Sequence, residues 1–287
     1  MIDRYNRDIH KLVISLGKDF ILNIDSLKFV VKELVNLGID DIEFELNDII
    51  DSISLCHIVN YINGECNVNH IGIVTDGFGI YNKISELKSY GLTNISVRLE
   101  SLKQYKYKKL NHNININEVL DLITKCINFK LNTKIICTLI NDFNTDEVFD
   151  FVNLTKYLPV EVSFSELIPD PRCVNFFNKG YINVKEVLES IEELHKLNYV
   201  NGRMDYYKLD DSKGIISRDT HNDKCGICLK CNELFLDENG YIKTCINSDV
   251  IVDTKPYINK PLMFKEVLKQ SIYEKPKMIK YKKAISI

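Results

Sequence analysis

The sequence predicts an α/β fold with a parallel sheet, followed by a C-terminal extension of different character. Short apolar runs rich in Val and Ile alternate with segments of helical periodicity over residues 10–197. The connections between them are short, which lets each helix cross back over the sheet to the next parallel strand. After about residue 200 this alternation gives way to short strands and a run of cysteines. The chain is therefore predicted to divide into a βα part, residues 1–200, and an extension, residues 201–287.

Six βα units are predicted in the first part. The strands are residues 10–16, 42–46, 71–74, 95–99, 133–140 and 160–167. The helices after them are residues 27–37, 49–62, 84–90, 117–129, 145–157 and 184–197. Asp25 or Ser26 is placed to cap the first helix and Gly38 to end it, while Gly91 ends the third helix and Pro159 follows the fifth. Six units cannot close an eight-stranded barrel, so an open, partial barrel or a doubly wound sheet is predicted.

Composition and charge limit the classes of partner. The chain has 287 residues, of which 45% are hydrophobic and 27% charged, and its net charge is −3. This balance gives no global attraction to nucleic acid or to an anionic membrane. No apolar run approaches the roughly 20 residues of a membrane helix, and residues 1–11 show no signal-peptide core. We therefore expect a cytoplasmic protein whose nine cysteines are reduced.

Four cysteines lie close together near the end of the chain: Cys225, Cys228, Cys231 and Cys245. Two C-x2-C steps share a central cysteine, and the last cysteine stands apart. A zinc ribbon usually pairs two separated C-x2-C steps, so this spacing suits an iron–sulfur cluster at least as well. The sequence thus predicts a metal site, with structural zinc as the alternative to iron–sulfur. The other cysteines are predicted to be packing or surface thiols: Cys56, Cys66, Cys126, Cys137 and Cys173.

Several segments of the chain carry a resemblance to one family. They are Asp3-Arg4-Tyr5-Asn6-Arg7, residues 91–102, residues 134–147, Cys228-x2-Cys231-Asn232 with Cys245, and Lys275-Pro276. Together they resemble the GTP cyclase of molybdenum-cofactor biosynthesis, a radical S-adenosylmethionine (SAM) enzyme. The resemblance covers nearly the whole chain and implies a partial (βα)6 barrel of the TIM type. It also implies that the C-terminal cysteines hold a [4Fe–4S] cluster of the auxiliary kind, with Cys225 as an additional thiol beside the family's three.

The chain departs from this family where SAM is bound and cleaved. The family holds its catalytic cluster with C-x3-C-x2-C after strand one, whereas this chain has residues 15–20 there and no cysteine before Cys56. The family's SAM-contacting segment after strand two aligns near residues 46–49, and a SAM-contacting serine of strand four appears as Arg98. Three thiolates leave one iron open for SAM, and without them that route to a 5′-deoxyadenosyl radical is lost. SAM is therefore not an expected cofactor.

The expected GTP site is also depleted. Family arginines are replaced at four positions: Val13, Glu43, Glu233 and Phe235. Lys134 and Thr75 match a lysine and a threonine that contact GTP in the family, so they remain the candidate cofactor-binding residues. Lys134 could equally form a structural ion pair, and Thr75 could belong to a turn with Asp76 and Gly77. Because glutamates in place of arginines reverse the local field, GTP cyclisation is not expected.

Two further carboxylates have an open role. Glu43 and Glu45 alternate along strand two, so both side chains are expected on one face of the sheet. They could project into the barrel as a carboxylate pair, or they could pair with Arg98 on a neighbouring strand.

Two classes of function remain. The first is a degenerate member of the family that binds one cluster without cleaving SAM, and that serves as a scaffold for an active enzyme or peptide, or binds a small molecule. The alternative is an enzyme with non-radical chemistry at an open iron of the C-terminal cluster, or a structural-zinc protein. A fourth thiolate from Cys225 would close the cluster and favour the first class. If the chain is an enzyme, the family expectation is a lyase or cyclase whose key residues are missing here.

Overall fold

A computed structural model describes residues 1–46, 52–77, 79–110, 115–168, 173–201, 204–219, 231–245 and 250–277. Two compact units are present. The first contains Met1–Ile95, Asn128–Leu131 and Cys228–Ile279, and the second contains Ser96–Ile127, Asn132–Ile227 and Lys280–Ile287. No helix in the described ranges has the length and apolar character needed to cross a membrane. The predicted division near residue 200 stays a prediction.

Strands and helices alternate along most of the chain. The strands are β1 (Lys11–Leu16), β2 (Asp41–Leu46), β3 (His70–Thr75), β4 (Asn94–Arg98), β5 (Asn132–Leu139), β6 (Glu161–Glu166), β7 (Leu194–Asn201), β8 (Met204–Leu209), β9 (Ile215–Asp219), β10 (Glu233–Leu236), β11 (Tyr241–Lys243) and β12 (Ile251–Asp253). The helices are α1 (Ile24–Asn36), α2 (Ser52–Glu65), α3 (Ile84–Ser89), α4 (Gln104–Leu110), α5 (Ile116–Asn128), α6 (Val148–Tyr157), α7 (Val174–Gly180), α8 (Val184–Glu189) and α9 (Pro261–Tyr273). Single 3₁₀ turns occur at Tyr81–Lys83, Thr145–Glu147 and Lys255–Tyr257.

The six predicted strands are confirmed as β1 to β6, each within one residue of its predicted bounds. Five of the six predicted helices are also confirmed as α1, α2, α3, α5 and α6. Residues 49–51 of the predicted second helix lie outside the described residues. The α/β class is therefore confirmed.

The predicted helix over residues 184–197 is wrong in its second half. Helix α8 ends at Glu189, where the amide of Ser190 donates to the carbonyl oxygen of Glu186 at 3.1 Å. A turn closed by the amide of Leu194 and the oxygen of Ile191, at 3.0 Å, then leads into β7. Strand β7 pairs antiparallel with β8, the next strand along the chain, so strand pairing overrides the helical pattern of residues 190–197.

Parallel pairing defines the first unit. Strand β1 lies between β2 and β10 and is parallel to both, and β3 is parallel to β2. Strands β10, β11 and β12 continue antiparallel, so the order is β12-β11-β10-β1-β2-β3. Its described strands do not return to close a ring, which confirms the predicted open sheet for this unit.

The second unit repeats this plan with different partners. Strands β5 and β6 are parallel, β9 is parallel to β6, and β8 and β7 continue antiparallel. Its described strands therefore also form an open order, β5-β6-β9-β8-β7.

Helix α1 shows how the helices are fixed on the sheet. Its apolar face buries Leu27, Val30, Val31 and Leu34. The side chain of Asn23 caps its start by accepting from the amide of Ser26 at 2.9 Å, which corrects the prediction of Asp25 or Ser26 as the cap. Asn23 was missed because the apolar pattern used to place the helix begins four residues later, at Leu27. Gly38 ends the helix as predicted, with a φ of +104° that favours glycine.

The alternation of strand β2 creates a polar face beside an apolar one. Ile42, Phe44 and Leu46 are buried, while the intervening Glu43 and Glu45 are half-buried on the opposite face. The register of β1 and β2 sets Lys11 beside Asp41, Val13 beside Glu43 and Ser15 beside Glu45. The polar face therefore runs the length of β2, while on β1 Val13 interrupts it between Lys11 and Ser15.

Candidate functional site

The β10–β11 hairpin brings two of the four predicted metal ligands to the same end. Its register pairs Phe235 with Lys243 and Leu236 with Ile242. Continued by two residues, this register opposes Glu233 with Cys245 and leaves Cys231 two positions beyond Glu233. With about 5 Å between strands and about 3.3 Å per residue, both cysteines can reach one metal group. Cys225 and Cys228 lie outside the described residues.

The turn of this hairpin is formed by residues 237–240. The amides of Asn239 and Tyr241 both donate to Asp237 Oδ1 at 3.0 Å, and Gly240 has a φ of +74°. Asp and Gly are the residues that such a turn requires. Residues 232–244, which separate Cys231 from Cys245 in the sequence, therefore form a hairpin. They run out along β10 and return along β11, so the two cysteines lie at the same end.

The exposure and chemistry of these cysteines suit a soft metal or cluster. Cys231 is partly exposed, whereas Cys245 is buried. Within the described ranges, no group of three or more His, Cys, Asp or Glu side chains is arranged to hold a metal ion. A site of four thiolates at the hairpin therefore requires ligands from outside those ranges, and residues 225 and 228 are placed by sequence to supply them.

The cysteine end of the hairpin is fastened to the amino end of β1. The amides of His10 and Lys11 both donate to the carbonyl oxygen of Asn232 at 3.1 Å. The Asn232 side-chain amide donates to His10 Nε2 at 3.0 Å, which places the ring proton on Nδ1, facing the oxygen of Asp8 at 3.1 Å. Cys231 therefore lies at the start of strand β1, next to these bonds.

A buried lysine from the C-terminal region reaches the same place. The Lys275 side chain is 1% exposed, and its ammonium donates to the carbonyl oxygen of Glu233 at 2.8 Å and to that of Thr244. These carbonyls lie at the cysteine end of β10 and β11. Sequence reasoning missed this role, and the only signal was the Lys275-Pro276 pair.

The N-terminal segment holds Lys275 through its backbone. Arg7 Nη2 donates to the oxygen of Lys275 at 3.2 Å and to that of Pro276 at 2.9 Å. Arg7 Nε also donates to Asp3 Oδ2 at 2.7 Å, with both side chains almost fully buried. Burial disfavours the charged form of Asp3, but bonds from Arg7 and the Tyr5 amide outweigh it and lower the pKa of Asp3. Two of the segments that carried the family resemblance thus meet here.

Lys11 is surrounded by carboxylates on the polar face. Its Nζ lies 3.2 Å from Glu43 Oε1 and 3.8 Å from Glu233 Oε1, and Asp41 is its register partner on β2. Burial opposes the charge of Lys11, yet Glu43, Glu233 and Asp41 raise its pKa. Burial raises the pKa of Asp41. Glu43 and Glu233, the two glutamates at positions where the resembled family has arginines, therefore both pair with Lys11. Together with Asp41 they give three carboxylates around one ammonium group.

The carboxyl end of β1 leads into a short loop without cysteine. Only the seven residues 17–23 separate β1 from α1. The amide of Phe20 donates to the Gly17 oxygen at 3.2 Å, and that of Ile21 donates to the Glu238 oxygen at 3.0 Å. A C-x3-C-x2-C motif is itself longer than this loop. Residues 17–23 therefore supply no thiolate for a cluster.

The polar groups near this end satisfy one another. Ser15 Oγ donates to Glu45 Oε2 at 3.3 Å. Thr75 is 2% exposed and its Oγ1 accepts from the Gly77 amide at 3.0 Å, the turn geometry named as its alternative role. Residues 47–49 of the segment aligned with SAM binding lie outside the described residues.

Lys134 lies in the second unit within an ion pair. Its Nζ is 2.9 Å from Glu161 Oε1, and Ser217 Oγ donates to the same oxygen at 2.6 Å. The register of β5 and β6 places Lys134 opposite Glu161. A phosphate at Lys134 would have to compete with this carboxylate. The geometry therefore favours the ion-pair alternative for Lys134.

A second buried network was not foreseen from the sequence. Glu147 is fully buried and accepts from the Leu102 amide at 2.7 Å, from Ser101 Oγ at 2.9 Å and from Lys106 Nζ at 2.9 Å. Bonds from Lys103 and Lys106 lower the pKa of the neighbouring Asp146 to about 2. All of these groups are paired with one another, so the network ties the segment after β4 to the start of α6.

The family comparison agrees with the fold and with the family resemblance of the sequence. The model of the radical SAM superfamily matches residues 2–155. The GTP 3′,8-cyclase of Clostridium acetobutylicum is 31% identical over 248 residues, covering 86% of this chain and 78% of that protein. The GTP 3′,8-cyclase of Clostridium perfringens strain SM101 is 27% identical over 311 residues, covering 98% of this chain and 95% of that protein.

Solved structures with little sequence identity share the fold. Streptococcus suis SuiB bound to the precursor peptide SuiA superposes with a TM-score of 0.67 at 11% identity, covering 96% of this chain and 68% of that chain. The enzyme anSMEcpe with bound AdoMet gives a TM-score of 0.54 at 12% identity, covering 92% of this chain and 83% of that chain. These likenesses support the predicted partial barrel as the fold and carry no statement about substrate.

Proposed function

We propose a function from one premise: the chain belongs to the radical SAM superfamily and resembles its GTP 3′,8-cyclases. Members of this superfamily in general hold a [4Fe–4S] cluster and bind SAM. In our proposal this cytosolic chain is a degenerate member that holds one [4Fe–4S] cluster at its C-terminal cysteines and does not cleave SAM. It acts as a scaffold or partner for another enzyme or a peptide, or binds a small molecule in the inherited fold.

The observation that carries the proposal is the loop between β1 and α1. Reductive cleavage of SAM requires an iron with an open coordination position, which three thiolates provide. The seven residues 17–23 contain no cysteine, and the loop is closed on itself and bonded to Glu238 through its backbone. The site that would supply the electron to SAM therefore has no ligands for its cluster.

The other end of β1 supports a retained cluster. The register of the β10–β11 hairpin directs Cys231 and Cys245 to one end, beside the backbone bonds of Asn232. Cys225 and Cys228 follow the same motif in sequence and complete a set of four thiolates. When bound, such a cluster supplies one-electron transfer or, with an open iron, a Lewis acid. The residues of this chain fix the hairpin, shield Cys245 and bring the thiols together.

The charges of the polar face speak against GTP as the ligand. A triphosphate needs several Lys or Arg donors, and Lys11, the lysine beside Glu43 and Glu233, is already paired with both. Lys134 is likewise paired with Glu161. A single lysine contributes about 1–3 kcal/mol through charge-assisted bonds, which corresponds to very weak binding. We therefore expect no sub-micromolar affinity for GTP.

The proposal is tested on anaerobically purified full-length protein. We expect a brown sample with about four irons per chain and a signal in electron paramagnetic resonance after reduction. With dithionite and SAM it should form no 5′-deoxyadenosine. Catalytic formation of 5′-deoxyadenosine that depends on this protein would overturn the loss of SAM cleavage. A colourless sample with one zinc per chain would overturn the cluster.

A second candidate function depends on whether only the three cysteines that match the family bind the cluster. If Cys228, Cys231 and Cys245 alone hold the cluster, its fourth iron stays open and the chain could be an enzyme with non-radical chemistry. In our proposal Cys225 closes that iron. Cys225→Ser should then retain a cluster but give a changed paramagnetic resonance spectrum and accept added ligands. An unchanged spectrum, with a wild-type cluster that already accepts small ligands, would favour the enzyme.

A further inference from the structure

We propose that Lys275 is the charge that sets the reduction potential of the C-terminal cluster. This inference rests on the proposed function, since it requires a cluster at Cys231 and Cys245. Nothing in the family resemblance assigned this lysine a role beyond a match of residue type.

The position of the ammonium is fixed by two carbonyls of the hairpin. Lys275 Nζ donates to the Glu233 oxygen at 2.8 Å and to the Thr244 oxygen. The Thr244 carbonyl belongs to the peptide bond whose nitrogen is that of Cys245. Glu233 lies two residues after Cys231. The positive charge is therefore within one residue of one proposed ligand and two of the other.

This charge is buried, and the ammonium donates to neutral carbonyls. Lys275 is 1% exposed, and no carboxylate in the described part of the chain lies within ion-pair distance of its ammonium. The Glu233 carboxylate is directed to Lys11, at 3.8 Å. An isolated buried ammonium is strongly unfavourable unless an anion compensates it. Of its three N–H donors, two reach carbonyls, and neutral carbonyls do not balance a full charge.

The backbone of the same residue is held firmly in place. Arg7 donates to the oxygens of Lys275 and Pro276, and Asp3 holds the Arg7 guanidinium. Lys275 also lies two residues after the end of α9, and its own amide donates to the Ile272 oxygen at 3.1 Å. The side chain therefore cannot easily withdraw its charge to solvent. The ammonium group is therefore held beside the hairpin by contacts of both its side chain and its backbone.

A cluster with thiolate ligands supplies the missing anion. Its net charge is negative and becomes more negative by one on reduction. A fixed positive charge next to it stabilises the reduced form more than the oxidised form, and this raises the reduction potential. The electron comes from the external reductant, and no bond in the protein is made or broken.

The test is a redox titration of the cluster-loaded protein followed by electron paramagnetic resonance. We compare wild type with Lys275→Met, Lys275→Gln and Lys275→Arg. Lys275→Gln removes the charge while keeping a donor for the carbonyls. In both neutral variants, the ratio of reduced to oxidised cluster at a fixed potential should fall about tenfold, which is about 59 mV for a one-electron couple. Lys275→Arg should stay close to wild type.

The control is Lys269→Met on helix α9, a lysine with a half-exposed side chain paired with Glu266. It changes the net charge of the protein equally and should leave the potential unchanged. Wild-type potentials in both neutral variants would overturn the inference. A second measurement, the rate of iron loss to a chelator, keeps the test decisive if a neutral variant folds poorly. The neutral variants should lose iron faster than Lys275→Arg. Equal rates would count against the inference. A wild-type protein with no reducible cluster would instead refute the proposed function.

Discussion

At its carboxyl end, strand β1 leads into a seven-residue loop without cysteine, whereas at its amino end it lies beside Cys231 and the β10–β11 hairpin. Between these ends the strand is ordinary, with Leu12 and Ile14 fully buried. In our proposal one end of this strand has no ligands for a cluster and the other end has them. The packing of the strand between them depends on neither end, so a change at one end should leave the other intact.

Removing a ligand at the amino end should have the largest effect. Cys231→Ala takes one thiolate from the proposed cluster, and we expect iron to fall from about four per chain to nearly none. The measurement is iron analysis with absorption spectroscopy on anaerobic samples. The matched control is Cys66→Ala, because Cys66 is also partly exposed but lies after α2, far from the hairpin in sequence. Equal iron loss in both variants would break the contrast between the two ends.

The N-terminal segment should be the next most sensitive. Asp3→Asn leaves the buried Arg7 guanidinium without its carboxylate, which costs about 3–5 kcal/mol of the free energy of unfolding. Because the pKa of Asp3 is lowered in the folded state, its contribution is present above the ordinary value of 3.8 and is lost as the pH falls through the folded value. The deficit of the variant should therefore be full at pH 7 and shrink in acid.

Urea denaturation between pH 3 and 7 measures this effect. Asp8→Asn is the control, because Asp8 has a side chain that is 63% exposed and pairs only at the surface. It should change the free energy of unfolding by less than about 0.5 kcal/mol. A pH-independent deficit in Asp3→Asn would show that the carboxylate charge is not what holds Arg7.

The polar face at the amino end can be returned toward phosphate binding. The double variant Glu43→Gln, Glu233→Gln releases Lys11 from both carboxylates. We expect affinity for GTP to rise about tenfold, or about 1.4 kcal/mol, measured by calorimetry. Glu45→Gln makes the same change farther along β2, beside Ser15, and should leave affinity unchanged. A rise in GTP affinity in Glu45→Gln alone would indicate that the anion binds near Ser15, at the carboxyl end of β1, and would contradict this prediction.

The smallest effect is expected at the carboxyl end of β3. Thr75→Val removes the acceptor of the Gly77 amide, which should cost about 1 kcal/mol of the free energy of unfolding. Thr124→Val is the control, since the Thr124 hydroxyl donates to the Leu120 oxygen within a helix and is exposed to water. Cluster content should be unaffected in both. Loss of the cluster in Thr75→Val would connect the two ends and contradict their independence.

The parts that could be predicted from sequence are those set by local pattern. Strands β1 to β6 follow from apolar runs, and the shared position of Cys231 and Cys245 follows from their spacing once the hairpin is known. Helix α8 was extended too far because Ile191 and Leu194 continue a helical period that only the pairing of β7 with β8 interrupts. The partner strand β8 lies outside the window of residues 184–197, so the helical pattern of that window alone gives the wrong structure.

The site could be predicted only as a set of residue types. The sequence indicated four thiols, Lys134 and Thr75, but not that Lys134 meets Glu161 across β5 and β6 or that Thr75 closes a turn. The buried position of Lys275 could not be predicted, because the sequence does not distinguish a buried lysine from an exposed one. Its partners are backbone carbonyls, which leave no trace in residue type.

The contact between the β1–α1 loop and the hairpin turn restricts how a cluster-binding loop could be built after β1. Gly17 faces the Glu238 side chain, and the Ile21 amide is bonded to the Glu238 carbonyl oxygen. A longer loop that carried three cysteines would have to break this backbone bond and displace the turn. Two segments that are distant in the sequence would therefore have to change together. Under our proposal, SAM cleavage is for this reason a poor target for stepwise directed evolution of this chain.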